Sequence, residues 1–250
     1  MSDSSGTWSE VSVAGHPCDV YEPHKVSEHG YVVLYLHGVH QNRMTDKTVF
    51  IEQFDHYGLR VIAPMAGESW WSDKIHEQFD AKLTAERHIL DNILPYIQQR
   101  WNATPPQIAL LGTSMGGQGA LRFGYKHPKL FPVVAGISPA IDFHIRLKEG
   151  DEVLIEMYDD VEAARQDTAT LHVHPLIWPR QQFFCCCPTD VRWWESSDRL
   201  RMKLYSLGIV HQCDLETEGG GHGFGYYNKM AAKAIEFVAQ GLETERLRVN

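Results

Sequence analysis

Ser114 lies in Gly112-Thr113-Ser114-Met115-Gly116, between an apolar run, QIALLG (107–112), and a segment of small residues, GGQGALRFGYKH (116–127). The run predicts a strand and the segment a helix. A G-x-S-x-G motif at such a junction is the pattern of a tight turn that lifts the serine hydroxyl above a sheet. In so sharp a turn, side chains two residues before and two residues after the serine would collide, hence Gly112 and Gly116. The turn also aims the start of the helix at the hydroxyl. The Met115 N–H and the helix dipole then face any negative charge that develops there. The chemistry this predicts is nucleophilic attack by a serine on a carbonyl.

Such a serine needs a base, and histidine is the usual one near neutral pH. The chain has 14 histidines, so chain order must select. On a sheet of this kind the order is nucleophile, acid, histidine. His222, in EGGGHGFGYYN (218–228), follows a predicted strand and precedes a predicted helix, and its glycines permit the backbone that lays an imidazole over the serine. Asp190 stands directly past the predicted strand QQFFCCCP (181–188) and is the candidate acid, which would fix the imidazole tautomer and stabilise the imidazolium. Asp198 falls inside the next helix and reads as a solvated or capping residue; Asp214 falls inside a strand. A tetrahedral intermediate also needs a second N–H donor. LYLHGVHQN (34–42) ends a strand with His37-Gly38 and offers the Val39 N–H, with His40 as the alternative, while His37 reads as a brace for the loop.

Aromatic pairs flank this constellation. Trp70 and Trp71, in GESWWSD (67–73), follow a strand; Trp193 and Trp194 follow Asp190. Trp70, Trp71, Trp193 and His40 are the candidate substrate-binding residues, since pockets are mostly apolar with a few polar anchors. No metal site is expected. Cys185, Cys186 and Cys187 lack C-x-x-C spacing and read as buried thiols on alternate faces of a strand. His172-x-His174 has no third ligand in view.

The elements that must position these residues alternate. Strands are predicted at 31–38, 60–67, 107–112, 131–141, 181–188 and 210–220, and helices at 46–57, 79–101, 116–127, 196–207 and 226–242. Pro95 is expected to kink the second helix. TWSEVSVAGHPCDVYEP (7–23) predicts an antiparallel edge hairpin around a Gly-His-Pro turn. The expected fold is therefore α/β, a mainly parallel sheet with helices on both faces, in one domain over residues 1–250. Residues 142–178 have weak, mixed periodicity and are expected to form a small cap, or a crossover with two short helices. Their acidic cluster (Asp159, Asp160, Glu162) reads as a solvated face.

A net charge of −9 argues against nucleic acid or an anionic membrane as the partner. The opening MSDSSGTWSE is not a secretory signal, and no apolar stretch approaches the ~20 residues that span a bilayer. The five cysteines, an odd number, suggest reduced thiols. A cytoplasmic protein is expected; its oligomeric state is not legible.

With these residues in place, the chain resembles an α/β-hydrolase, and within that superfamily the esterase D-like group, which also includes S-formylglutathione hydrolases and mycolyltransferases. VLYLHGVHQN, ESWWSDK, ERHILDNILPYI and GTSMGGQGALRFGYKHPKLFPVVAGISPAIDF carry the resemblance, joined later by Asp190, SSDRLRMKLYSLGI and GGGHGFGYYN. The resemblance implies an α/β-hydrolase fold, esterase or thioesterase chemistry through Ser114, Asp190 and His222, and no cofactor. The expected reaction is cleavage of a small ester or thioester through an acyl-enzyme. Rival readings transfer the acyl group, cut a peptide with the same triad, or keep only a non-catalytic binding scaffold.

Overall fold

A computed structural model describes residues 6–248. Runs of β-branched and apolar residues form eight strands: β1 (Thr7–Val13), β2 (His16–Glu22), β3 (Val32–Leu36), β4 (Arg60–Pro64), β5 (Ile108–Thr113), β6 (Val133–Ile137), β7 (Gln181–Cys185) and β8 (Gln212–Asp214). They make one sheet in the order β1-β2-β4-β3-β5-β6-β7-β8. β1 and β2 are antiparallel, as are β2 and β4; the other pairings are parallel. This is the α/β-hydrolase arrangement, a mostly parallel sheet with an antiparallel N-terminal edge.

The central strands are buried on both sides, so their alternate residues feed two cores. Val32, Leu34 and Leu36 of β3 join one; Val33 and Tyr35 join the other. The first core lies under α2 (Ala85–His88), α3 (Leu94–Trp101), α4 (Met115–Lys126) and α9 (Val191–Ser206). The second lies under α1 (Thr48–His56) and α10 (Phe224–Arg246). Cys186 packs in the first core and Cys185 and Cys187 in the second, which is the alternation of an extended chain. All three are free thiols.

Several predicted boundaries shift; β6 and β8, expected over 131–141 and 210–220, cover only Val133–Ile137 and Gln212–Asp214. The hairpin turns at Ala14-Gly15, both at positive φ, and His16 and Pro17 belong to β2. The helix expected from residue 79 begins at Ala85, because Asp80 accepts the Lys82 and Leu83 N–H groups in a turn and Thr84 caps the helix through Arg87 N. Ahead of Pro95 the helix widens into a π-helical turn, Ile89–Ile93, which accommodates a residue with no N–H to give. The helix expected at 196 starts at Val191, since Trp193, Ser196, Ser197, Leu200 and Leu204 form one buried stripe.

Residues 142–178 hold four short helices, not two: α5 (His144–Lys148), α6 (Glu152–Met157), α7 (Val161–Gln166) and α8 (Ala169–His172). Asp151 and Asp160 cap α6 and α7 through Leu154 N and Ala163 N, so Asp160 is a structural cap and not merely a solvated acid. A buried ion network ties this segment to the body of the fold. Arg122 of α4, 1% exposed, bonds to Asp167 and to Glu86 of α2. Tyr158 donates to Asp167 at 2.7 Å and Lys126 to Glu86 at 2.8 Å. Burial alone would raise the Asp167 carboxyl; its bonds to His172 and Arg122 outweigh that and hold it at about 2.

Sheet register sets the site. Leu36 of β3 pairs with Gly112 of β5, so Gly38 comes level with Ser114. Ile137 and Cys185 are level with Thr113 and Asp214 in turn. β3 leads to β4 on one side of itself, and the chain then crosses back to β5 on the other. That reversal is where open α/β sheets bind ligands, beyond the carboxyl ends of the strands.

Candidate active site

Ser114 follows β5 with φ 57° and ψ −120°, a conformation costing on the order of 1–3 kcal/mol that the surrounding backbone must enforce. The Ser114 N–H donates to Ile137 O at 3.0 Å, and its carbonyl accepts from Gln118 N and Ala140 N, both at 3.0 Å. The flanking glycines are required by contact with backbone. A Cβ on Gly112 would lie 2.1 Å from Gly116 O, and one on Gly116 would lie 1.9 Å from Leu36 O. The collision is thus between each position and the neighbouring main chain. Only hydrogen lets β3, the turn and α4 meet this closely.

His222 Nε2 is 2.8 Å from Ser114 Oγ, and His222 Nδ1 is 2.6 Å from Asp190 Oδ2. The carboxylate can only accept, so Nδ1 carries the proton and Nε2 is free to accept from the serine hydroxyl. Asp190 sits at the N-terminal end of α9, its side chain 8% exposed. The Cys186 thiol donates to the same Oδ2 at 3.7 Å; burial pushes that thiol's pKa up, so it keeps its proton. Gly220 and Gly221, at φ 87° and 80°, turn the chain into His222. Asp198 pairs with Arg201, and Asp214 with Lys233, so neither competes for the imidazole.

The loop after β3 is braced from behind. His37 is buried; its Nδ1 donates to Gly38 O at 2.8 Å and its Nε2 accepts from Ala66 N at 3.1 Å. Gly38 O also accepts from Gln41 N at 2.9 Å. In a trans peptide, C=O and N–H point opposite ways. Fixing Gly38 O therefore fixes the Val39 N–H on the other side. A Cβ on Gly38 would lie 3.1 Å from Ser114 Cβ, so this peptide sits against the nucleophile. Met115 N opens α4, where the first N–H groups have no intrahelical acceptor. Among the described residues, neither the Val39 nor the Met115 N–H has a hydrogen-bond acceptor. Burial pushes the His37 pKa down to about 4, so the brace is a neutral imidazole.

A cavity of about 450 Å3 opens over Ser114 and His222. Val39, His40, Trp70 and Trp193 line it. Trp71 does not. It packs against His37, donates from Nε1 to His37 O at 3.0 Å, and would meet any side chain on Gly119 at 2.7 Å. The expectation that Trp71 walls the pocket is corrected: it is a core residue that steadies the Val39 loop. Trp70 and Trp71 share φ 52°, and α4 pins both, through Gln118 to Trp70 O and Arg122 to Trp71 O. Trp194 lies outside the lining and donates to Leu215 O. His172 pairs with Asp167 at 3.0 Å. Among the described residues, no three His, Cys, Asp or Glu groups are placed to hold a metal ion, and no helix is long and apolar enough to cross a membrane.

The lining residues that sequence reasoning missed include Tyr227, Glu68, Arg146 and Arg192. Tyr227 stands edge-on to His222, 5.6 Å between ring centres, and burial holds its phenol protonated. Its signal was the Tyr-Tyr pair five residues past His222. Arg192, two residues past Asp190, was legible by the same proximity; Arg146 was not.

The fold and this constellation define the α/β-hydrolase class. The Esterase family model, described as "Putative esterase", matches residues 15–209. The chain belongs to this esterase family and is a carboxylesterase-like hydrolase. No curated protein matches its sequence significantly. Among solved structures it is similar to a ferulic acid esterase (16% identity, 95% of this chain and 98% of that one, TM-score 0.75). It is also similar to the fluorophosphonate-binding serine hydrolase F of Staphylococcus aureus (14%, 94% and 99%, 0.75) and to an S-formylglutathione hydrolase from Agrobacterium tumefaciens (17%, 97% and 98%, 0.74). At these identities the likeness is one of fold.

Proposed function

We propose that the protein cleaves small carboxylic esters or thioesters through Ser114, His222 and Asp190. The observation that carries this is the series Asp190 Oδ2, His222, Ser114 Oγ, with links of 2.6 and 2.8 Å, at the mouth of a cavity. His222 Nε2 takes the hydroxyl proton as Ser114 Oγ attacks the carbonyl carbon. The oxyanion forms against the Val39 and Met115 N–H groups, preorganised donors that need no reorientation. Asp190 stabilises the imidazolium. His222 then gives its proton to the leaving alkoxide or thiolate, and the acyl group stays on Ser114. A water, deprotonated by His222, attacks the acyl-enzyme; collapse returns the proton to Ser114 Oγ and frees the acid. All groups required belong to the chain.

Similar folds include an enzyme described as a ferulic acid esterase and one described as an S-formylglutathione hydrolase, which supports ester and thioester substrates alike. Trp70 and Trp193 would pack on the acyl or alcohol part, and His40 lies at the exposed edge. The test is hydrolysis of p-nitrophenyl acetate by wild type and Ser114→Ala. The variant should lose at least a factor of about 10³ in kcat, leaving only what the donors and binding supply. A variant with wild-type turnover would refute the nucleophile.

A further inference from the structure

The proposed reaction makes no use of three charged side chains that face the cavity: Arg146, Arg192 and Glu68. The two arginines come from separate elements, α5 within the 142–178 segment and the first turn of α9. Each lies over one of the lining tryptophans. The Arg146 guanidinium carbon is 5.7 Å from the Trp70 ring centre, and that of Arg192 is 5.8 Å from the Trp193 ring centre. A cation held on an aromatic face keeps its orientation and presents its N–H edge sideways.

Each guanidinium has five N–H donors. Arg146 is paired through Nη2 to Asp151 at 2.7 Å, and Arg192 through Nη2 to Glu149 at 2.9 Å. Among the described residues neither has another hydrogen-bonded partner, and Glu68 is in ion-pair reach of neither. Most of both forks is therefore free. Both arginines also border an adjoining cleft of about 320 Å3, so they stand together between the two spaces. The chain as a whole carries −9, and Asp151 and Glu149 each balance one of these arginines, so what the pair offers an anion at the cavity is their unused N–H donors and not a net positive field.

A neutral ester would leave these donors with water alone. We propose that the ester or thioester cleaved at Ser114 carries a carboxylate remote from the reacting carbonyl, and that Arg146 and Arg192 bind it. Planar forks match a carboxylate bidentately. This rests on the hydrolase reading and deepens it, and it gives the 142–178 segment a part in specificity.

The test compares matched esters that differ by one carboxylate. On the acyl side these are p-nitrophenyl valerate and mono-p-nitrophenyl glutarate; on the alcohol side, phenyl acetate and 3-carboxyphenyl acetate. The readout is the kcat/KM ratio within each protein, which cancels differences in folded fraction. In wild type at low salt, the carboxylate ester of at least one pair should win by about tenfold, a charge-assisted contact's worth. The ratio should shrink as salt rises. It should fall toward one in Arg146→Gln/Arg192→Gln and below one in Arg146→Glu/Arg192→Glu. A wild type that prefers the neutral ester in both pairs, or a Gln variant that keeps the wild-type ratio, would overturn the proposal. Turnover of none of the four esters would instead overturn the hydrolase reading beneath it.

Discussion

Asp190 contributes by geometry more than by charge alone. Its Oδ2, 2.6 Å from His222 Nδ1, leaves the imidazole one useful tautomer, with Nε2 bare toward Ser114. Asparagine would fill the same space but could turn its NH2 toward Nδ1, moving the imidazole proton to Nε2. Asp190→Asn should therefore lower kcat by a factor of about 10⁴ while the fold and far-UV spectrum persist. A loss of less than tenfold would mean that another group orients His222. The oxyanion side depends on equally few atoms. Gly38 O is held by His37 and Gln41, and the opposite face of that peptide is what Ser114 meets. His37 and Trp71 act through this loop without lining the cavity, which makes them positioning residues.

Four loops, after β3, β5, β7 and β8, bring the site together, and their strands were largely legible. Continuous apolar runs such as VVLYL and IALLG, rich in β-branched and bulky residues and too short for a helix, suit strands buried on both faces, and chain order then singles out Asp190 and His222 from many acids and histidines. The elbow glycines were legible because the G-x-S-x-G spacing is local, although only Gly112 meets its own turn; Gly116 meets Leu36 O of β3. What failed to read depends on distant partners. Trp71 looks like any Trp after a strand until Gly119 and His37 arrive from elsewhere to bury it. Residues 142–178 hold helices of four to six residues, too short to print a hydrophobic period, and they are fixed from outside by Arg122. That dependence is measurable. Arg122→Met removes the cation between two mostly buried carboxylates, Glu86 and Asp167, and should cost about 3–5 kcal/mol in urea unfolding. A cost below about 1 kcal/mol, the level of a surface pair, would show that the network does not hold the segment.

Across the whole molecule, buried titratable groups give stability a defined acid limb. Burial pushes His37 and His88 from 6.5 down to about 4. The folded state thus resists protons that the unfolded chain takes up. Stability from this source is full above pH 6.5 and is lost as pH falls through the window to about 4. For fully buried His37 this drop corresponds to about 3 kcal/mol. Glu86 and Asp167, held below the usual carboxylate range, begin to lose their contribution only as pH falls below about 4.5 and 3.8. Urea unfolding at intervals from pH 7.5 to 4.5 should show stability falling steadily below about 6.5; a flat profile down to pH 5 would contradict buried neutral histidines. The central claim, that one strained serine is the nucleophile, is tested most directly by labelling the intact protein with a fluorophosphonate and mapping the adduct by mass spectrometry. The account predicts a single adduct on Ser114, absent in Ser114→Ala and much slower to form in His222→Gln. An adduct at another residue, or a folded wild type that stays unlabelled, would contradict it.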